Sequence, residues 1–326
     1  MRRMGCKCVV VLASVVLMLA TSSAHAIVLY SQPDRNMSAP VGKLAGSGWQ
    51  WQGQFGSFLG TPIAPNYFIT AGHVGGVPGQ PFFFNGHSYN TIAYYDDPAS
   101  DLRIWKIDGK FPTWAPLFKE STEAGRSCVI FGRGTQRGDP VFVGGELKGW
   151  EWGPQDGLQS WGRNAIAGIV DGGAKRGDML YFTFDQSGVA QEGTLSAGDS
   201  GGALFVKQGA AWKLAGINTS VDGPYAHNAG ETAFNAALFD RGGLFVPGYN
   251  DEKRIIDSAQ DYPAAAYATR LSTNLPWITD VLAGRVAPGG TADRVTGGVP
   301  EPTGAIITVL GLSALALRRR REHPAE

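Results

Sequence analysis

From Ser57 to Asn218 the sequence is a succession of short apolar runs broken by turn residues, with no credible three-turn amphipathic helix until Leu275. Ser57–Ala64 and Tyr67–Thr70 flank a Pro65-Asn66 turn, and Pro81–Phe84 meets Ser88–Tyr94 across Asn85-Gly86-His87, a hairpin signal. Leu102–Ile107, Cys128–Phe131, Met179–Phe184, Gly202–Lys207 and Trp212–Asn218 continue the pattern. Composition agrees. Gly is 46 of 326 residues, near twice the usual ~7%, and charged residues are 17% against roughly 25% in an average soluble chain. Many glycines and few charges disfavour a helical bundle. At the end of this region Asn274 can cap a helix with Pro276 in its first turn, and Leu275, Ile278 and Leu282 recur at helical spacing before Gly284 stops it. An all-β chain closed by one short helix implies barrels or a sandwich, with Lys119–Gly125 as the seam between halves. Segments 134–178 and 221–262 are rich in Gly, Asp and Asn and read as long loops, and no internal repeat is visible.

The two ends read differently. Residues 1–26 carry a basic start (Arg2, Arg3, Lys7), an apolar stretch from Val9 to Ala20, and Ala24-His25-Ala26, a small-x-small cleavage pattern. The apolar run is too short for a comfortable membrane span, so an export signal is expected, with Ile27 as the first mature residue. Residues 286–303 read as a linker ending in Val299-Pro300-Glu301-Pro302. Residues 304–326 hold an apolar run, Gly304–Leu317, and the cluster Arg318–Arg321, which would stay cytoplasmic. This order resembles the PEP-CTERM sorting signal of Gram-negative bacteria. The resemblance implies signal peptidase and an exosortase as partners, transient residence in the inner membrane, and release to the cell surface or extracellular matrix; the alternative reading of the same segment is a plain C-terminal anchor that stays in the cell envelope.

The whole chain has 28 Lys+Arg and 28 Asp+Glu, which gives no reason to expect nucleic acid as a partner. Three basic residues leave with the signal, and residues 286–326 hold five basic and four acidic ones. The body at 27–285 is therefore mildly acidic, about −4. Cys6 and Cys8 belong to the signal, so Cys128 remains alone and no intrachain disulfide is expected. A domain of this length can hold by burial instead.

Of five histidines, His25 and His323 lie in the end segments, leaving His73, His87 and His227. His73 follows an apolar strand in Phe68-Ile-Thr-Ala-Gly-His73, and Asp101 opens the alternating Leu102–Ile107. Ser200 lies in Gly198-Asp199-Ser200-Gly201-Gly202. A serine hydroxyl is a weak nucleophile that needs a base, and the base needs an orienting carboxylate. Asp96 and Asp97 compete with Asp101, whose place before the strand favours it. His87 and His227 read as surface loop residues. Gly198-x-Ser200-x-Gly202 also fits the nucleophile elbow of α/β-hydrolases, but that reading needs a helix after the serine and the order Ser…Asp…His. Here a strand follows Ser200, and the order is His…Asp…Ser.

Over roughly Ile27 to Leu282 these segments resemble the trypsin/chymotrypsin-like serine peptidases, with Ala268-Thr-Arg-Leu-Ser272 and Leu275-Pro-Trp-Ile278 matching the last strand and closing helix. The resemblance implies two six-stranded-type antiparallel β-barrels with a short C-terminal helix, and a domain spanning 27–285. It implies Ser200 as nucleophile, His73 as general base and Asp101 as its orienter. The N–H groups of Gly198 and Ser200 would form an oxyanion hole. Thr194, six before the nucleophile, would sit at the specificity pocket and offers no carboxylate, so an uncharged residue before the scissile bond is expected. Ile27, freed by signal cleavage, would pair with Asp199. The implied activity is a secreted endopeptidase acting on proteins or peptides without a cofactor; no residue pattern supports calcium in the long loops. The rivals are a catalytically silent binding module of the same fold and a structural matrix protein. The second predicts repeats that the sequence lacks.

Overall fold

The computed structural model describes residues 27–247 and 253–291. The export signal expected at 1–26, the Val299–Pro302 end of the expected linker and the sorting signal expected at 304–326 lie outside the described residues. Alternating burial along the early strands decides the architecture of the first half. In Pro81–Phe84 the side chains of Phe82 and Phe84 are buried, and their neighbours Pro81 and Phe83 face solvent. Asn85 and Gly86 both have positive φ, +50° and +77°. Such a pair closes a two-residue hairpin. The ladder consequently begins at Phe84 opposite His87, which belongs to the strand His87–Asp96 rather than to the turn expected for it.

Six antiparallel strands run in the order His87–Asp96, Pro81–Phe84, Gly53–Phe55, Phe58–Ala64, Tyr67–Ala71, Leu102–Ile107. Leu102–Ile107 pairs back onto His87–Asp96, with Thr91 opposite Ile107 and Asp96 opposite Arg103, and closes the barrel. Its interior is aromatic: Phe55, Phe68, Phe82, Phe84, Trp105 and Phe111 form one buried cluster. Phe68 stacks on Phe82 with ring centroids 3.9 Å apart.

The second half is a seven-stranded antiparallel sheet, ordered Ser160–Ala165, Ser127–Gly132, Ala203–Gln208, Ala211–Val221, Ala265–Arg270, Asp178–Thr183, Gly168–Asp171. The sheet curls so that its first strand approaches Asp178–Thr183. A side chain joins them: Asn164 Nδ2 donates to the carbonyls of Thr183 (2.8 Å) and Gly193 (3.0 Å). A continuous apolar cluster runs between the halves, with Leu59, Ile69 and Ile104 from one side and Phe131, Phe205 and Ile217 from the other. Ile278 and Val281 of the helix Leu275–Leu282 are buried in the same cluster. Asn274 occupies the position before that helix, yet its side chain donates to the Arg270 carbonyl (2.7 Å) instead of capping. The seam is tied by Glu123, buried against Arg270 at 2.8 Å. Past the helix, Gly290–Thr291 pairs with Tyr94 and Ala93 of the first barrel.

The segments 134–178 and 221–262 contain an ordered addition to the barrels. Thr135–Val143 and Glu146–Gln155 form a hairpin, and Ala236–Leu238 adds as a third strand. Gly149 is needed where they meet: its φ is +154°, and a Cβ there would lie 2.1 Å from the Ala237 carbonyl oxygen. A small core of Val141, Tyr225, Ala236, Leu238, Leu244 and Ala264 lies beneath. Buried Lys148 pairs with Asp240 at 2.6 Å and is pushed up in pKa by that contact and by Asp257 and Glu146, against its own burial. Among the described residues no helix is long and apolar enough to cross a membrane.

Candidate active site

The strand Tyr67–Ala71 ends in a 3-10 turn, Gly72–Val74, which carries His73 out of the first barrel. The Gly72 N–H donates to the Asp101 carbonyl (3.0 Å), and a Cβ on Gly72 would lie 3.1 Å from Asp101 Oδ1. These contacts seat the turn against the mouth of Leu102–Ile107. Asp101 Oδ1 accepts the His73 backbone N–H at 2.9 Å, and Oδ2 lies 2.6 Å from His73 Nδ1. Thr219 Oγ1 donates to the same Oδ2 at 2.6 Å. Burial alone would raise the Asp101 pKa. The hydrogen bonds from the His73 ring, from Thr219 and from the His73 N–H hold it below the ordinary value. A carboxylate accepting at Nδ1 keeps the proton there and leaves Nε2 as an acceptor. Nε2 lies 2.8 Å from Ser200 Oγ.

Ser200 comes from the second half. The turn that carries it packs onto the first barrel: a Cβ on Gly201 would come within 2.1 Å of Thr70 Oγ1 and 2.6 Å of the Leu59 carbonyl oxygen. Gly201, with φ +75°, is thus the residue that lets the two halves meet closely enough for Ser200 to reach His73. Behind it, Gly201 N–H donates to the Asn218 carbonyl (2.9 Å), and Asn218 Nδ2 to the Phe131 carbonyl (2.8 Å). Gly198 has φ +93°, and a Cβ there would meet Gln155 Nε2 at 2.2 Å. Gln155 is itself tied to the Arg133 carbonyl (3.2 Å). Among the described residues neither the Gly198 nor the Ser200 N–H has a protein acceptor. Two unpaired donors beside a serine hydroxyl are an arrangement that can stabilise negative charge.

Asp199 is fully buried beneath this turn. It accepts the Gly134 N–H at 2.7 Å, the Ser196 N–H at 2.7 Å and the Ser196 hydroxyl at 3.0 Å. Burial pushes its pKa up to about 6 despite these donors and the influence of the nearby Ile27 N–H. Ile27 is buried, and Val28 pairs with Thr194, itself buried, in a two-residue ladder. The competing carboxylates are engaged elsewhere: Asp96 holds Arg103 (2.9 Å), and Asp97 accepts from Ala99 N–H (3.0 Å) and Ser100 Oγ (2.6 Å). His87 is exposed beside Tyr89, and exposed His227 stacks on Phe234 at 4.9 Å. Thr219, the third donor to Asp101, escapes sequence reasoning, since nothing in Asn218-Thr219-Ser220 marks it out.

No family model and no curated protein matches the chain. Solved structures do resemble it. Neuropsin, a serine protease expressed in the limbic system of mouse brain, is 13% identical over 73% of this chain and 96% of its own, with a TM-score of 0.45. Rv3671c of M. tuberculosis, solved as a serine-to-alanine mutant in an inactive form, is 13% identical over 78% of this chain and 100% of its own, with a TM-score of 0.43.

Proposed function

We propose that the protein is a serine endopeptidase in which Ser200, His73 and Asp101 act as a catalytic triad. The observation that carries this reading is the unbroken hydrogen-bond chain from Asp101 through His73 to Ser200. Ser200 Oγ attacks the scissile carbonyl as His73 Nε2 takes its proton, and Asp101 stabilises the resulting imidazolium. The Gly198 and Ser200 N–H groups receive the oxyanion, where loss of one donor typically costs ~3–4 kcal/mol. His73 then returns the proton to the departing amine. Water, deprotonated by the same imidazole, hydrolyses the acyl-enzyme and restores Ser200. Labelling with a fluorophosphonate tests this directly: wild type should be modified and Ser200→Ala should not. Absence of Ser200-dependent labelling in folded protein would favour a silent binding module instead.

In this reading the substrates are proteins or peptides, and Thr194 supports an uncharged residue before the scissile bond. The N-terminal and C-terminal segments support export followed by sorting to the cell envelope, surface or matrix. Signal cleavage after Ala26 would turn the Ile27 N–H, which lies near Asp199, into an ammonium that could give the buried carboxylate a charged partner. Adding one residue ahead of Ile27 should then abolish hydrolysis without unfolding the chain. Full activity with retained cooperative melting would refute this activation.

A further inference from the structure

A cleft of about 200 Å³ opens beside the triad, lined by Asp101, Thr219, Ser220, Lys175 and Arg176. The first three belong to the triad and its supporting strand. Lys175 and Arg176 lie in the turn between Gly168–Asp171 and Asp178–Thr183, and the reaction as described gives them no task. We propose that Lys175 and Arg176 form a subsite that selects an acidic side chain, Asp or Glu, close to the scissile bond. The inference rests on the peptidase reading above.

Three observations support it. The turn is built rather than loose: Gly172 N–H donates to the Gly177 carbonyl (2.8 Å), Gly177 and Arg176 N–H to the Gly173 carbonyl (3.0 and 3.1 Å), and Gly173 N–H to Asp171 Oδ1 (2.8 Å). It is also docked on the first barrel through a glycine, since a Cβ on Gly177 would lie 3.0 Å from the Ala99 carbonyl oxygen and 3.3 Å from Ser100 Cβ. Lys175 holds a φ of +79°, the left-handed region that tight turns use.

The third observation is charge. Among the described residues neither Lys175 nor Arg176 has an ion-pair or hydrogen-bond partner for its side chain, whereas the nearby carboxylates are all committed. Asp171 holds the Gly173 N–H, Asp178 faces Arg270 at 3.4 Å, and Asp101 is occupied by His73 and Thr219. Half-buried Arg176 and exposed Lys175 thus present two unspent cations to a cleft whose own anion is satisfied. A carboxylate entering from a substrate would meet charge-assisted donors that pay no cost of breaking an internal pair.

The test uses fluorogenic peptide libraries with Glu, Gln or Lys fixed in turn at each position within three residues of the scissile bond. Wild type should cleave the Glu series faster than the Gln series at one position by on the order of tenfold in kcat/KM. High salt should shrink that preference. In Lys175→Ala/Arg176→Ala the two series should converge, and Lys175→Glu/Arg176→Glu should favour Lys over Glu at the same position. A reversed preference also shows that the variant folds. Equal cleavage of Glu and Gln peptides by wild type, or a preference that survives both double variants, would overturn the subsite while leaving the peptidase intact. Loss of Ser200-dependent labelling would overturn the peptidase instead. Binding of the same labelled peptides to Ser200→Ala would then decide the subsite alone, and equal affinity for Glu and Gln peptides would count against it.

Discussion

The two halves of the molecule solve the same problem with different chemistry. The first barrel is closed by its main-chain ladders around stacked and edge-on aromatic rings, Phe55, Phe68, Phe82, Phe84, Trp105 and Phe111. The second half has an apolar cluster too, but it also buries charge: Glu123 with Arg270, Asp222 with Arg241 at 2.8 Å, Lys148 with Asp240, and the carboxylates of Asp199 and Glu192. The difference follows from what each half must hold. The first presents His73 and Asp101 from the end and mouth of regular strands, whose ladders set most of the geometry and leave a few polar contacts around Asp101 to complete it. The second must present Ser200 and two unpaired N–H groups from a turn, and a turn is held by specific polar contacts. Buried ionic contacts bring position at the cost of desolvation.

Removing one partner of a buried pair should give the largest loss of stability. Arg270→Met leaves Glu123 uncompensated and should cost about 3–5 kcal/mol at pH 7. Hydrogen bonds from Arg270 and Ser272 and the Arg270 charge hold the Glu123 pKa below its ordinary value, although its burial acts to raise it. The stability this supplies is present above the unfolded-state pKa and is lost as pH falls through the folded one. The gap between wild type and variant should therefore narrow in acid, as urea melts at pH 7 and pH 3.5 would show. A gap independent of pH would mean that the contact works by packing alone.

Phe82→Ala removes a stacked ring from the other half and should cost a comparable ~3–5 kcal/mol, with no such narrowing in acid. A marked pH dependence of that loss would break the contrast between the halves. The smallest effect is expected at Glu192. Burial pushes its carboxyl up to about 8, against bonds from the Asp185 and Val189 N–H groups. With the folded pKa raised, stability is full below the unfolded value and declines as pH rises towards 8. Glu192→Gln should accordingly gain roughly 1–3 kcal/mol relative to wild type between pH 5 and pH 9. Parallel melting curves for the two proteins across that range would place Glu192 in a more polar setting than its burial indicates.

The same contrast explains what could be read before folding. The strands of the first barrel announce themselves through alternation and the Asn85-Gly86 hairpin, because both signals are local. The added hairpin at 135–155 does not. Its register is irregular between Leu147 and Gly149 and again past Trp150, and its third strand, Ala236–Leu238, arrives from a distant part of the chain. The joining of the second sheet through Asn164 is equally silent, since a side-chain amide bonding two carbonyls leaves no periodicity. Gln155 and Thr219 took their places beside Gly198 and Asp101 only once separate segments had met.

What the sequence by itself determined is the β class, the closing helix and the three residue types a triad requires, each in a segment whose local turn chemistry suits it. Tertiary structure decided which of three nearby aspartates faces His73, which N–H groups remain unpaired, and which cations stand over the cleft. The physical reason is range. Propensity and turn geometry act within a few residues, whereas the bonds of the site join positions 28, 118 and 127 residues apart, and only packing the two halves together sets those distances.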